Sequence, residues 1–194
     1  KAWWRPFSHH GIIHGDPHLG NYTVFSEDGA PQGINLLDYG CIRIFPPGFV
    51  AGVVDLYRGL LEEDDALVVS AYERWGFKGL TRELIEILNI WARFIYGPLL
   101  DDRVRSVADG VTAGEYGRKE AFAVRKLLKE KGPVKIPREF VFMDRAAIGL
   151  GGGFLHLRAE LNFFRLFNEQ IENFETATVQ KRQSDLLGGV GLQA

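Results

Sequence analysis

The sequence predicts an α+β fold that is mostly α-helical, with one small β-hairpin near its start and five or six helices after it. Two observations carry this prediction. The segments YTVF (22–25) and GINLL (33–37) are rich in β-forming residues and flank an Asp28-Gly29 turn signal. From about Gly48 onward, apolar residues recur at the spacing of amphipathic helices. The polar residues suited to chemistry are concentrated before these helices.

Three local signals predict where helices end or are connected. Residues 1–8 predict the end of a helix closed at Arg5-Pro6, because proline disfavours the helical conformation in the residue before it. The glycines at 151–153 predict a tight connection between two helices, since no strand precedes them and no Lys-Ser/Thr pair follows. Residues 184–194 predict a frayed tail.

Capping and stop signals delimit the helices in between. A helix is predicted from Gly48 toward Trp75, with a second one beginning near Glu63. Thr81 is the predicted N-cap of the next helix, and Gly-Pro dipeptides end that helix and its successor. The later helices are predicted over 81–98, 117–133, 138–150 and 154–174.

The composition narrows the classes of protein to consider. The chain has 194 residues, 46% of them hydrophobic and 25% charged, as is typical of one soluble domain with its own core. The net charge of −2 gives no basic field that would predict a nucleic-acid partner. The single cysteine, Cys41, cannot form an internal disulfide, which favours a reducing, cytoplasmic setting. No apolar run approaches the ~20 residues of a membrane span.

The most informative stretch is HGDPHLGN, residues 14–21, which lies between two apolar runs. Partners across a hairpin have residue numbers with a constant sum, and a turn centred just after Gly29 pairs Asn21 with Asp38. Asp16 lies five residues before Asn21 on the same loop. Three oxygen-bearing side chains are therefore expected to converge at one end of the hairpin. Such ligands suit Mg²⁺ and the phosphates that accompany it.

Two other interpretations of this stretch remain open. Asp and Asn often cap their own backbone in turns, and the three residues can be explained separately in that way. A transition-metal site is the second alternative, since imidazole and carboxylate are common zinc ligands. Its ligands would come from His9, His10, His14, Asp16 and His18.

Residues 14–16, followed by Asn21 and then by Asp-Tyr-Gly at 38–40, resemble the H-R-D-x-x-x-x-N loop and the D-F-G motif of protein kinases. The full string is more similar still to the UbiB/ADCK (AarF-like) family of atypical kinases, whose loop reads His-Gly/Ala-Asp-Pro-His-Pro-Gly-Asn. Residues 142–169 also resemble that family's C-terminal helices.

The resemblance implies a protein-kinase-like C-lobe over residues 1–183, with a small catalytic β-hairpin packed on a helical bundle. Within it lie a catalytic loop (14–21), a metal-binding Asp-Tyr-Gly turn (38–40) and a helical part (46–183). Only 13 residues precede His14, and no strand lysine, partner glutamate or Lys-x-Gly-Gln motif is present. The N-lobe is therefore expected to be truncated, lost or separately encoded.

The resemblance also implies roles for individual residues. Asp16 would be the catalytic aspartate that orients or deprotonates the attacking hydroxyl or water. Asn21 and Asp38 would hold Mg²⁺ against the phosphates of ATP, and Gly40 would allow close approach of the cofactor. His14 would brace the loop through backbone hydrogen bonds.

His18 stands where ordinary kinases carry a phosphate-contacting lysine, and the resemblance implies a similar catalytic part for it. Three neighbours depart from the usual patterns. Leu19 replaces the family's proline, Tyr39 replaces the phenylalanine of D-F-G, and Gly15 replaces the kinase arginine that contacts an activation-loop phosphate. The change at Leu19 removes no ligand, whereas glycine at position 15 predicts that activation-loop phosphorylation does not activate the protein.

The function implied is ATP- and Mg²⁺-dependent phosphoryl transfer or ATP hydrolysis, linked by resemblance to ubiquinone and isoprenoid lipid metabolism. The implied partners are a nucleotide, the N-lobe or a chain that supplies it, and a lipid or membrane surface at which the parent protein is peripheral. The isolated chain is expected to turn over negligibly without the phosphate-clamping lysine. The alternatives are an inactive kinase-like binding module and a small-molecule phosphotransferase of the aminoglycoside or choline type.

Overall fold

The computed structural model describes residues 1–108, 111–112, 115–131 and 136–192. In this part of the chain the fold is mostly helical with small antiparallel sheets, which agrees with the predicted α+β class. The strands are β1 Ile12–His14, β2 Tyr22–Glu27, β3 Ala30–Leu36 and β4 Ile42–Ile44. The helices are α1 Trp4–His10, α2 Pro47–Glu62, α3 Asp65–Arg74, α4 Arg82–Tyr96, α5 Arg118–Lys131, α6 Arg138–His156, α7 Phe163–Ile171 and α8 Thr176–Gly189.

The described strands form two separate antiparallel pairs. Strands β2 and β3 form the hairpin that the sequence predicts. Strands β1 and β4 pair as well, with Ile13 opposite Arg43 and His14 opposite Ile42, and the sequence analysis missed this pair. Because β1 precedes the loop 15–21 and β4 follows the turn 38–40, their pairing anchors both segments at one place.

The predicted hairpin register was wrong. The turn residues are Asp28 and Gly29, both with positive φ (51° and 77°), so the turn is centred earlier than predicted. A β-bulge in the middle of the hairpin then shifts the register again. As a result, the carbonyl of Asn21 accepts a hydrogen bond from the N–H of Leu37 at 2.9 Å, and Asp38 lies one residue beyond this pair.

The predicted packing of this hairpin on the helical bundle is limited to its base, where the ring of Tyr22 lies 5.1 Å from that of Trp3. Most residues of β2 and β3 are exposed, because β3 carries polar and glycine positions and offers no continuous apolar face. Ile13 of β1 and Phe45, which follows β4, are each only 1% exposed. The β1–β4 pair therefore connects the loop 15–21 and the turn 38–40 to the buried core.

Helix α1 runs through the proline that was expected to end it. Pro6 lies in the first turn, where a backbone N–H has no intrahelical acceptor, so nothing is lost by its absence. The helix ends instead at Gly11, which adopts a left-handed conformation with φ of 66°. Phe7 is fully buried and anchors α1 to the core.

The predicted helices after the hairpin are confirmed as far as α5. Asp64 caps α3 by accepting a hydrogen bond from the N–H of Leu67 at 3.0 Å. Thr81 caps α4 as predicted, accepting from the N–H of Leu84 at 3.2 Å. The Gly-Pro stop predicted at 132–133 lies outside the described residues.

Two predictions about the last third of the chain were wrong. The glycines 151–153 are inside α6, and the break falls at 157–162, where a helix was expected; Asn162 then caps α7. The tail from 184 to 189 belongs to α8 and is not frayed, because Leu187 packs into the core at 3% exposure. Residues 193–194 lie outside the described part.

Helix α2 is the central element of the hydrophobic core. It contributes several side chains that are at most 2% exposed: Val50, Val53, Val54, Leu56 and Tyr57. Residues from α1, α3, α4, α6 and α7 complete the same cluster. Within the described ranges, no helix has both the length and the apolar character needed to cross a membrane.

Helix α8 packs against α1 and hydrogen-bonds to the backbone on both sides of the β1–β4 pair. The side chain of Gln183 is 4% exposed, and its Nε2 donates to the carbonyls of His10 (2.8 Å) and Phe45 (2.9 Å). A Cβ at Gly11 would lie 2.6 Å from that nitrogen. This polar contact therefore fits only glycine at position 11.

Two glycines of α6 allow a matched test of its packing. A Cβ at Gly151 would lie 2.2 Å from a ring carbon of Tyr116, whereas a Cβ at Gly153 would meet nothing within 4 Å. Gly151→Ala is expected to lower the free energy of unfolding by about 1–3 kcal/mol, and Gly153→Ala to raise it by roughly 0.5–1 kcal/mol. Urea denaturation measures both. Equal effects of the two substitutions would contradict close packing of Tyr116 on α6.

Candidate active site

The loop 14–21 begins at the end of β1 and is held by β4. The N–H of Gly15 donates to the carbonyl of Cys41 at 2.8 Å, which extends the β1–β4 ladder by one step. A Cβ at Gly15 would lie 3.1 Å from that carbonyl oxygen and 3.4 Å from the Cγ of Arg43. Glycine therefore lets the loop leave the strand close to its neighbour.

His14 joins the loop to the Asp-Tyr-Gly turn. Its side chain is buried, its Nδ1 accepts from the backbone N–H of Asp16 at 3.2 Å, and its Nε2 donates to the carbonyl of Asp38. Because a carbonyl only accepts and an N–H only donates, these partners require a neutral ring protonated at Nε2. The edge of Trp3 packs against the ring, with centroids 6.2 Å apart. The expected backbone bracing is present, while a catalytic role for His14 stays a prediction.

Asp16 and Asn21 are joined across the loop. Nδ2 of Asn21 donates to the backbone carbonyl of Asp16 at 3.0 Å. This bond uses the amide nitrogen and leaves the amide oxygen of Asn21 as its remaining polar atom. The carboxylate of Asp16 is half-buried and lies 3.6 Å from Nη2 of Arg145. The backbone of Asp16 is thus held by Asn21, and its carboxylate faces Arg145.

Asp38 presents its carboxylate at the surface. Its Oδ1 accepts from the N–H of Gly40 at 2.7 Å, and a Cβ at Gly40 would lie 3.2 Å from this oxygen. This contact is an Asx turn, so one of the two carboxylate oxygens of Asp38 caps the local backbone. Among the described residues, no hydrogen bond reaches the second oxygen.

The three predicted oxygen-bearing residues meet through backbone contacts at one end of the hairpin. Asn21 bonds to Asp16 and, through its own carbonyl, to Leu37 beside Asp38. His14 links the same two segments from behind. Carboxylate and amide oxygens at one spot suit a hard divalent cation. Their assignment as ligands stays a prediction.

His18 has a local role in the structure. It is exposed, and its Nδ1 accepts from the N–H of Gly20 at 3.0 Å, so that it caps the short 3-10 helix Leu19–Asn21. The outer nitrogen faces away from this bond. A contact of His18 with phosphate therefore remains a prediction, and its capping bond was not expected from the sequence.

The zinc alternative finds no support in the described ranges. No group of three or more histidine, cysteine, aspartate or glutamate side chains is arranged there to hold a metal ion. His9 instead lies 3.2 Å from Nη1 of Arg182, and His14 uses both ring nitrogens on backbone atoms.

Helix α6 supplies residues to the site that the sequence analysis missed. Arg145 of α6 lies beside Asp16, with its Nη2 3.6 Å from Oδ1 of that carboxylate. One turn further on, a Cβ at Gly149 would lie 2.8 Å from the ring of Pro17, so the loop rests on the helix backbone. The spacing of four residues places Arg145 and Gly149 on one face of α6, but the sequence alone does not show that this face contacts the loop.

The neighbouring residue, Asp144, points into the core. It borders a cavity of about 40 Å³ lined mainly by aromatic and aliphatic side chains, Tyr72 and Trp91 among them. Burial raises the pKa of Asp144 to about 7, and a hydrogen bond from Trp91 offsets this only in part. Its Oδ1 has no partner within the described part of the chain.

A histidine-braced Asp-x-x-x-x-Asn loop beside an Asp-Tyr-Gly turn is the arrangement typical of kinase-like domains. The family model described as the ABC1 atypical kinase-like domain matches residues 1–72. This match is consistent with the UbiB/ADCK family and confirms the resemblance over the segment that contains both the loop and the turn. The predicted similarity of residues 142–169 lies beyond the match. No curated protein and no solved structure matches the chain.

Proposed function

We propose that the chain carries the catalytic-loop half of an ATP- and Mg²⁺-dependent phosphotransferase or ATPase of the UbiB/ADCK type. The observation that supports this most directly is the buried His14, which ties the loop of Asp16 to the turn of Asp38 inside the matched segment. Two motifs that must act on one phosphate are thereby held at a fixed separation.

The residues present fit a magnesium-nucleotide site. With its amide nitrogen bonded to the carbonyl of Asp16, Asn21 offers an oxygen, and Asp38 offers a carboxylate at the surface. Bound Mg²⁺ would neutralise phosphate charge and orient the phosphates of ATP for in-line transfer. Gly40 keeps the backbone beside Asp38 accessible for close approach.

The chain's own residues would then handle the acceptor. The carboxylate of Asp16 would accept a hydrogen bond from the attacking hydroxyl or water and take its proton. The guanidinium of Arg145 on α6 lies 3.6 Å from that carboxylate. His14 keeps the loop backbone in register with the metal-binding turn, and His18 is a second polar group, exposed on the same loop.

The finer parts of the proposal rest on resemblance to the UbiB/ADCK family. They are the link to ubiquinone and isoprenoid lipid metabolism, peripheral membrane association, and a lobe or separate chain that supplies the remaining phosphate-clamping groups. The second lobe or chain is part of the proposal because a kinase-like site needs contacts on both sides of the nucleotide.

Loss of one ligand tests the proposal. Asp38→Asn removes a carboxylate charge and is expected to weaken Mg²⁺-dependent ATP binding by about tenfold or more, since carboxylates dominate Mg²⁺ coordination. Isothermal titration with ATP, with and without Mg²⁺, measures the change. Asp28→Asn is the matched control, because it makes the same chemical change in the hairpin turn, where asparagine suits the positive φ.

Wild-type protein that binds no ATP, or binds it equally with and without Mg²⁺, would favour the inactive kinase-like binding module. Equal effects of Asp38→Asn and Asp28→Asn would likewise remove the metal-binding role of Asp38.

A further inference from the structure

One face of α6 runs along the catalytic loop. Arg138, Phe142, Arg145 and Gly149 follow each other at spacings of four, three and four residues, which places them on the same side of the helix. Gly149 receives Pro17, and Arg145 reaches Asp16. The remaining two residues of this face lie beyond Arg145, on the side toward the start of α6.

Two arginines stack on the single ring of Phe142. The guanidinium carbons of Arg43 and Arg138 lie 4.8 Å and 5.3 Å from the ring centroid. Arg43 comes from β4, and its stem passes next to Gly15 at the start of the catalytic loop. We call Arg43, Arg138 and Arg145 the arginine face; it joins β4 and α6 beside Asp16.

The charges of the arginine face are not balanced. Within the described ranges, no carboxylate pairs with Arg43 or Arg138. The contact of Arg145 with Asp16, at 3.6 Å, is longer than a hydrogen bond. Asp144 is turned into the core cavity. Of these three arginines, only Arg145 therefore has a carboxylate within 4 Å in the part of the chain that the structure describes.

Stacking on Phe142, together with the hydrogen bond that Nη1 of Arg43 donates to the carbonyl of Ile42 at 2.9 Å, accounts for the position of the two planar groups but not for the accumulation of like charge. Bringing cations together without a counter-ion is unfavourable, and an anion shared between them relieves that cost. Guanidinium groups also present paired N–H donors that match the oxygens of a phosphate. The side chain of Arg145 is 65% exposed, and Arg138 is also exposed, so an anion can reach them.

We infer that the arginine face binds a phosphate group carried by the molecule on which Asp16 acts. Naming that molecule as the acceptor rests on the proposed function, whereas the binding of phosphate does not. The acceptor would then place its phosphate on Arg43 and Arg138 and its attacking hydroxyl at Asp16. The shared chemistry is a phosphate monoester, whether in a soluble molecule or in a lipid headgroup.

The test compares two charge-matched double variants. Arg43→Gln/Arg138→Gln removes the stacked pair, and Arg82→Gln/Arg158→Gln removes two exposed arginines that belong to neither β4 nor α6. Inorganic phosphate is titrated by calorimetry, and vesicles of phosphatidylcholine with and without phosphatidic acid are tested by co-sedimentation. Thermal unfolding of each variant reports on folding, and Arg43→Lys/Arg138→Lys retains the charge should the glutamine variant unfold.

Phosphate affinity is expected to fall at least about tenfold in the Arg43/Arg138 variant and to stay unchanged in the control. Binding of phosphatidic acid vesicles without binding of free phosphate, with the same dependence on the arginines, would support the inference and identify a lipid source. Absence of both kinds of binding in the wild-type chain, or equal binding by both variants, would overturn it.

The outcome is separable from that of the proposed function. Asp38→Asn is expected to lose Mg²⁺-dependent ATP binding and to keep phosphate binding at the arginine face. Phosphate binding that disappears in Asp38→Asn would place the phosphate in the nucleotide site and contradict the inference. If the wild-type chain binds phosphate but does not bind ATP, only the proposed function is contradicted.

Discussion

Replacement of His14 by alanine is expected to lower the free energy of unfolding by about 2–4 kcal/mol. The substitution removes two hydrogen bonds from a buried ring and leaves the N–H of Asp16 and the carbonyl of Asp38 without this partner. It also leaves a space beside Trp3. Chemical denaturation measures the loss of stability, and ATP titration of the folded variant is expected to show weaker Mg²⁺-dependent binding, because the loop and the turn are no longer joined.

His18→Ala is the matched control for this prediction. It removes the same side chain four residues later, where the ring is exposed and makes one local bond to Gly20. Its expected cost in stability is below about 1 kcal/mol. Similar losses in the two variants would show that bridging by His14 contributes nothing beyond an ordinary loop contact.

Asp144→Asn is expected to stabilise the protein at alkaline pH and to leave it nearly unchanged at acidic pH. Burial raises the pKa of Asp144 from 3.8 to about 7 in the folded state. Between these values the folded protein holds a proton that the unfolded chain has released, so this group's contribution to stability is largest below the unfolded pKa and is lost as pH rises through about 7. The expected difference above pH 7 is on the order of 2–4 kcal/mol.

The measurement is the free energy of unfolding as a function of pH for the wild type, Asp144→Asn and Asp28→Asn. The wild type and Asp28→Asn should both lose stability across the window from about pH 4 to pH 7, whereas Asp144→Asn should not show this loss. A wild-type profile that rises across the same window, or an Asp144→Asn profile parallel to it, would show that the carboxyl ionises without cost inside the core.

The parts of the fold that were predicted correctly depend on local signals. Helices α2 to α4 follow from apolar periodicity and from caps such as Thr81, which act within one turn of the chain. The hairpin register was missed because the turn is centred between Asp28 and Gly29, and a bulge without a distinctive sequence signature corrects only half of that error. The run at 151–153 was taken for a break because glycine weakens helices, whereas Gly151 is there to admit the ring of Tyr116.

The same distinction applies to the site. Asp16, Asn21 and Asp38 were found because their spacing is informative by itself. The bridge made by His14 depends on the pairing of β1 with β4, and these strands are too short to give an alternation pattern. The contact of Arg145 with Asp16 depends on how α6 packs, which no local signal encodes.

The hydrogen bonds of Gln183 bear on the order in which the molecule can form. They connect residues that are 173 and 138 positions apart, and they close the backbone at His10 and Phe45, on either side of the β1–β4 pair. Contacts of such long sequence separation form late, because a large loop must close before they stabilise anything. During synthesis, α8 must therefore leave the ribosome before these contacts beside the loop 14–21 can form. Until then, the loop 14–21, although it is synthesised early, lacks these long-range contacts.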